Sequence, residues 1–416
     1  MRLCLFLLPL ILLGRGAKDG YCQAEYPTAN AVPDGYSLQM VLSMSRHGAR
    51  TPINVIDNEY EDPKSVWSCG TRHIDDLADA DGKAQGGAQL SYAVPDFVPK
   101  TYTAKTLRGN CSAGQLTLLG QQQTRALGAA MREVYVDKFG FFPDVFDPAE
   151  TVFTSTDVQR TRESLVSFLQ GLYPLDKRGN RTITATVPLG PNPYHPPEKD
   201  VCPRLQQLYK EARKLDEYVA MRAKAGKALK KINKIMNTTG DSRWDDALTV
   251  ANWKDQLRSR HCHGMPVFCD AKECLTDEEY FQIADMADYQ GTHDYLVGDS
   301  PKLAIGPFMS LVHDLISKRL STGAGPRYMH FSAHDNSILP ILAGYGQHLP
   351  FPPFASSIIW EVWQDATSTA HLRVVYNGSP LTVSGCDSEM CPFETYLKHM
   401  DSKFRILDYD AECASV

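Results

Sequence analysis

The sequence predicts an α/β fold: a central mixed sheet flanked by helices, with an all-helical cap domain inserted. Three observations predict it. Short apolar or alternating runs, the pattern of strands, interleave with helical periodicity before residue 190 and again after residue 300. Between these stretches, residues 205–295 keep helical spacing with no strand signal. The strand-like runs at 39–45 and 328–332 lead directly into histidines flanked by charges, at the position where open α/β sheets gather ligands. The expected organisation is a signal peptide over 1–16, a discontinuous α/β catalytic domain over 35–190 and 300–416, and a helical cap domain over 195–298.

Taken in order, the chain opens on Met1-Arg2, an apolar run over 3–13, and Gly14-Arg15-Gly16-Ala17. A basic start, a short apolar stretch and small residues are the parts of a secretory leader. The run is too short to span a bilayer, and no later stretch is long and apolar enough. After Cys4, ten cysteines remain, an even number that suits disulfides in an oxidising compartment. Cleavage after Ala24 would remove Cys22 and leave an odd count. Glycosylation acceptors stand at Asn110, Asn180 and Asn237; a fourth, at Asn377, is weakened by the following Pro380.

Residues 39–45 read as a buried strand. Residues 53–114 are acidic, Gly-rich and irregular, a surface excursion held by Cys69 and Cys111, with Asp75, Asp76, Asp79 and Asp81 in a solvated loop rather than a calcium site. Residues 116–136 have helical spacing, 151–154 a strand-like run, and Asp157 is placed to cap a helix running to about Leu172, before Pro174. A proline-rich crossing at 188–203 leads to one strongly helical stretch, 205–236, whose lysines form a solvated face. Helix over 302–320 and strands over 328–332, 357–363 and 372–376 follow, with Asn377-Gly378 as a turn.

The net charge of −6 excludes a general nucleic-acid binder, which needs a basic surface. Chemistry concentrates in Arg46-His47-Gly48-Ala49-Arg50-Thr51-Pro52. Two guanidinium groups beside a histidine make an anion site that can grip phosphate oxygens. They also disfavour a second positive charge, which keeps the imidazole neutral and nucleophilic. A second group, Ser332-Ala333-His334-Asp335-Asn336, sets a carboxyl beside a histidine, suited to anion binding and proton transfer. A third, 154–161, adds Arg160 at a helix start. His261, Cys262, His263, Cys269 and Cys274 fit no common zinc spacing and are read as disulfide-forming, so no metal is expected.

Together these motifs resemble the histidine acid phosphatases, branch 2 of the histidine phosphatase superfamily, most of all the prostatic and lysosomal types. The resemblance runs from about residue 35 to the end and is weakest over 53–114. It implies a phosphoglycerate-mutase-like sheet and a secreted or lysosomal acid phosphatase without cofactor, acting on a small phosphate ester, with a homodimer as one assembly. It implies His47 as nucleophile, Arg46, Arg50, Arg160 and His334 as phosphoryl ligands, and Asp335 as proton donor. Asp335 is then expected to hold its proton above the ordinary value of about 3.9, and His334 to act as imidazolium. The resemblance also implies bridges Cys386–Cys391 and Cys202–Cys413. The family's third bridge does not carry over, because Ser356-Ser357 lacks the cysteine, so the pairing of Cys262, Cys269 and Cys274 stays open, with Cys22, Cys69 and Cys111 among the candidates. Two other readings use the same residues: an inositol-phosphate phosphatase, favoured by the basic helix and Asn336, and a phosphatase-like binding protein, which would need a broken site.

Overall fold

The computed structural model describes residues 20–32, 34–56, 65–69, 107–179, 181–188, 192–197, 200–245 and 249–414, with the backbone of 72–75 and 87–90. The 1–16 leader, Asn180 and most of the acidic loop lie outside the described residues.

The strands are β1 Ser37–Arg46, β2 Arg72–Asp75, β3 Gly87–Leu90, β4 Thr151–Ser155, β5 Ala185–Thr186, β6 Tyr328–Ala333, β7 Ser357–Gln364, β8 Ala370–Tyr376, β9 Ser379–Leu381 and β10 Cys391–Pro392. The main sheet runs β10-β8-β7-β1-β6-β4-β5, with β9 on β8, while β2 and β3 form a separate pair. β1, β6, β4 and β5 run parallel to one another, whereas β7 pairs antiparallel with β1 and β8 antiparallel with β7. The sheet is therefore mixed, as expected, and β1 stands where the parallel half meets the antiparallel half.

Register follows from burial. β1 is covered on both faces and reads as a near-continuous apolar run. Met40, Leu42 and Met44 enter one core with Phe308, Ile338 and Trp360. Val41 enters the other with Leu127, Phe153 and Phe168. The same alternation turns Ser43 and Ser45 towards His330, which bonds both hydroxyls and stacks on Phe168 at 4.0 Å. At the β8–β9 hairpin, Asn377 (φ 46°) and Gly378 (φ 81°) supply two left-handed residues, the conformation a two-residue turn demands.

Helices flank the sheet at Leu118–Arg132, Gln159–Leu172, Ser300–Thr322, Asp335–Gly344 and Phe393–Phe404. Between β5 and Ser300–Thr322 the described chain is helical: Pro203–Ala212, Asp216–Ile235, Ser242–Asp245, Thr249–Cys262 and Asp277–His293. The stretch 205–236 is helical as expected, in two helices broken where Arg213 turns aside to Asp294 (2.5 Å) and Leu215 is extended. One local expectation fails. Asp157 does not cap its helix: its carboxylate pairs with Arg162, and the N-cap is Val158, without a side-chain bond.

Among the described residues the bridges are Cys22–Cys262, Cys69–Cys111, Cys202–Cys413, Cys269–Cys274 and Cys386–Cys391, a set typical of oxidising compartments. The pairing that the sequence left open is decided here: Cys269 and Cys274 pair with each other, and Cys262 with Cys22. Cys269 and Cys274 flank a tight turn closed by a Phe268–Leu275 backbone bond. No described helix is long and apolar enough to cross a membrane.

Candidate active site

The parallel strands end in register. Ser45 pairs with Ser332, and Ser332 with Ser155, so the residues after β1, β6 and β4 emerge together. Backbone bonds carry the ladder one step further, from His47 N to Ala333 O (3.1 Å) and from Thr156 N to Ser332 O (3.1 Å). This brings His47, His334, Asp335 and Arg160 together across nearly 300 residues of sequence.

Gly48 is required by close packing. A side chain there would meet Gly120 O at 2.2 Å, and one at Gly120 would meet Ala49 O at 2.1 Å. The two glycines interlock the motif loop with the start of Leu118–Arg132, which Thr117 caps through Gly120 N.

His47 is buried, and its Nδ1 lies 2.8 Å from Gly48 O. A carbonyl only accepts, so the proton sits on Nδ1 and Nε2 keeps its lone pair. Burial, then Arg160, Arg46, Arg50 and His334, hold the ring well below its ordinary pKa. Arg46 is buried: its Nη1 donates to Pro352 O (2.6 Å), and its Nη2 lies 2.7 Å from Asp335 Oδ2 and 3.2 Å from the Tyr21 hydroxyl. Arg50 donates to Thr51 O (3.0 Å) and to Asp255 Oδ1 (2.5 Å). Arg160 has no carboxylate within ion-pair distance among the described residues. Burial first, then Arg50, lower it to about 10. The Nε groups of all three arginines are buried without a protein partner. Orphan donors of this kind in one place suit an anion.

His334 and Asp335 depart from expectation. The Thr161 hydroxyl donates to the backbone at Thr156 O or Val158 O, so Thr156 donates to Thr161 and accepts from His334 Nε2 at 2.9 Å. Burial, then Arg160 and His195, hold His334 well below its ordinary value, so it is a neutral donor here and not an imidazolium. For Asp335, burial pushes the carboxyl up, but Arg46, Lys254, Arg50 and His334 outweigh it and hold the group well below the usual carboxylate range. The sequence reading missed the positive field that cap residues help to build.

Four further groups were not singled out from sequence. Lys254, Asp255 and Arg258 lie on the helix Thr249–Cys262, where their spacing resembles any charged face. Lys254 is buried, pairs with Asp288 (2.9 Å) and stands 2.9 Å over the Phe351 ring; burial lowers it to about 8 against the pull of Asp288 and Asp335. Arg258 pairs with the same Asp288 (2.7 Å). His195 packs edge-on against His334 (5.0 Å), with its Nδ1 donating to Pro196 O and its Nε2 accepting from Asn336. A charged pair on a helix otherwise built around Trp253 and Leu257 was the available signal for Lys254 and Asp255. His195 had none. Cys262, Cys269 and Cys274 are in disulfides, so no thiolate remains for a metal. Asn110 Oδ1 accepts from Cys69 N (3.0 Å), and Asn237 is exposed with φ 53°.

Comparison with known proteins agrees with this geometry. The chain is 28% identical over 404 residues to Counting factor 60 of Dictyostelium discoideum, covering 95% of this chain and 93% of that one. It is 25% identical to human Lysophosphatidic acid phosphatase type 6 (87% and 82% covered) and 27% identical to bovine Lysosomal acid phosphatase (68% and 69%). Its fold superposes on Hafnia alvei phytase with a TM-score of 0.60 at 14% identity, covering 92% of this chain and 100% of that one. Residues 37–377 match the family described as Histidine phosphatase superfamily (branch 2), and the chain belongs to that family.

Proposed function

We propose that this protein is an acid phosphatase that hydrolyses small phosphate monoesters through a phosphohistidine on His47. The observation that carries the reading is the tautomer of His47 fixed by Gly48 O, which leaves the Nε2 lone pair free on a ring that lies in the field of Arg160, Arg46 and Arg50. In the first step Nε2 attacks phosphorus, and the P–O bond to the alcohol breaks as Asp335 gives its proton to the leaving oxygen. In the second step a water attacks phosphorus, Asp335 takes its proton, the P–N bond breaks, and phosphate leaves. The three arginines stabilise charge on the equatorial oxygens, which is most of what phosphoryl transfer asks of a protein.

Asp335 must be protonated to serve the first step. A dianionic ester group entering among Arg46, Arg50 and Arg160 offsets the charges that hold the carboxyl ionised, so substrate itself raises its pKa. Activity then falls as pH rises and Asp335 loses its proton, which is the sense of an acid optimum. The same reading places the catalytic α/β unit over 35–190 and 300–416, the cap over 195–298, a leader over 1–16 and glycans on Asn110, Asn180 and Asn237 of a secreted or lysosomal protein.

The test is acid-stable versus acid-labile phosphate. Quenching wild type during turnover of a radiolabelled ester should trap a phosphoenzyme stable in alkali and labile in acid. His47→Ala should trap none and turn over nothing. Near-normal turnover by His47→Ala would remove His47 as nucleophile.

A further inference from the structure

Tyr21 lies outside every motif, in the segment before β1, yet it is buried beneath the site. Three cations surround its ring: Arg46 at 5.4 Å from β1, and Lys254 at 5.9 Å and Arg258 at 4.6 Å from the cap helix. Phe354 packs on it edge-on at 5.5 Å.

The donors of Arg46 show what the hydroxyl does. A guanidinium has five N–H groups in a rigid fork. Nη1 donates to Pro352 O, Nη2 divides between Asp335 Oδ2 and the Tyr21 hydroxyl, and Nε has no protein partner. Guanidinium and carboxylate prefer a two-point pair. With the hydroxyl absent, the fork is free to rotate onto both oxygens of Asp335. That would tighten the carboxylate's hold on its charge and turn Nε from the phosphoryl position.

Tyr21 is held in place from several sides. Cys22 is bridged to Cys262, at the end of the helix that carries Lys254 and Arg258. Phe354 N donates to Tyr21 O (3.2 Å), Ala24 N donates to Phe354 O (3.0 Å), and Gln123 Nε2 donates to Cys22 O (2.7 Å).

We propose that Tyr21 is a positioning residue whose hydroxyl divides the donors of Arg46 between Asp335 and the phosphoryl group, and that the Cys22–Cys262 bridge keeps it there. The proposal rests on Asp335 as the proton donor.

The experiment reads the ratio of kcat/KM on glycerol phosphate, whose alkoxide needs a proton, to that on p-nitrophenyl phosphate, whose leaving group hardly does. A merely structural role lowers both together. Tyr21→Phe keeps the ring and should lower the ratio about tenfold, part of the range general acid catalysis spans. Asp335→Asn should lower it further, and adding Tyr21→Phe to Asp335→Asn should change it no more. A ratio unchanged in Tyr21→Phe but lowered in Asp335→Asn overturns the proposal alone. A ratio unchanged in Asp335→Asn overturns the assignment of Asp335, and this proposal with it. Should Tyr21→Phe not fold, the Cys22→Ser/Cys262→Ser variant, which retains Tyr21, is read on the same ratio. A fall supports the proposal, and equal losses on both esters overturn it.

Discussion

Asp255 of the cap helix Thr249–Cys262 holds Arg50 of the motif loop at 2.5 Å, across 205 residues of sequence and with both side chains nearly buried. Its other oxygen accepts from Ile53 N at 2.6 Å. One carboxylate of this helix thus ties down both the Arg50 side chain and the backbone of the motif loop.

Asp255→Ala should therefore cost both stability and activity. Removing one partner of a buried pair strands the other, at about 3–5 kcal/mol. Misplacing Arg50 should lower kcat/KM about 10- to 100-fold. Urea unfolding and steady-state kinetics check the two effects. A variant that loses neither would show that Arg50 is held elsewhere.

Asp335→Ala should lower kcat/KM on glycerol phosphate by about 10²–10⁴-fold, the usual worth of general acid catalysis, and on p-nitrophenyl phosphate far less. The specificity constant is the quantity to compare, because it ends at phosphoenzyme formation. Equal losses on both esters would leave the phosphohistidine standing and remove Asp335 from its role.

Charge stabilisation by Arg46, Arg50 and Arg160 predicts that activity persists through chelation and that vanadate competes with substrate. Arg160→Ala should weaken vanadate inhibition at least about tenfold, since it removes a cation that has no carboxylate within ion-pair distance among the described residues. Activity lost on chelation and restored by zinc or magnesium would contradict this.

The fold itself should lose stability towards acid. His330 is buried between Ser43, Ser45 and Phe168, and burial lowers it to about 3. Its folded pKa lies below the unfolded value of about 6.5, so the unfolded chain binds the proton more readily. Its contribution is present above pH ~6.5 and falls away as pH drops towards 3, by roughly 3 kcal/mol between pH 6.5 and 4. His330→Gln should flatten the dependence of the urea midpoint on pH in that window. An unchanged slope would rule out His330 as its source.

The residues at the strand ends were legible in the sequence. Arg46, His47, Arg50, His334 and Asp335 announce themselves because a strand's apolar run and the functional loop that ends it are contiguous, and local spacing survives without a structure. The same holds for the Asn377-Gly378 turn and for most helices, whose periodicity is local. Tertiary structure alone decided the rest. Lys254, Asp255, Arg258 and Tyr21 reach the site from distant segments, and on their own helix or loop they look like ordinary charged or aromatic positions. Cys269 and Cys274 chose each other because a turn put them together, which no count of cysteines reveals. The pKa shifts of His334 and Asp335 in the unliganded protein run against the sequence expectation for the same reason. Sequence determined which groups can titrate, but a pKa is set by burial and by the distances to Arg46, Lys254 and Arg160, and those distances exist only in the folded chain.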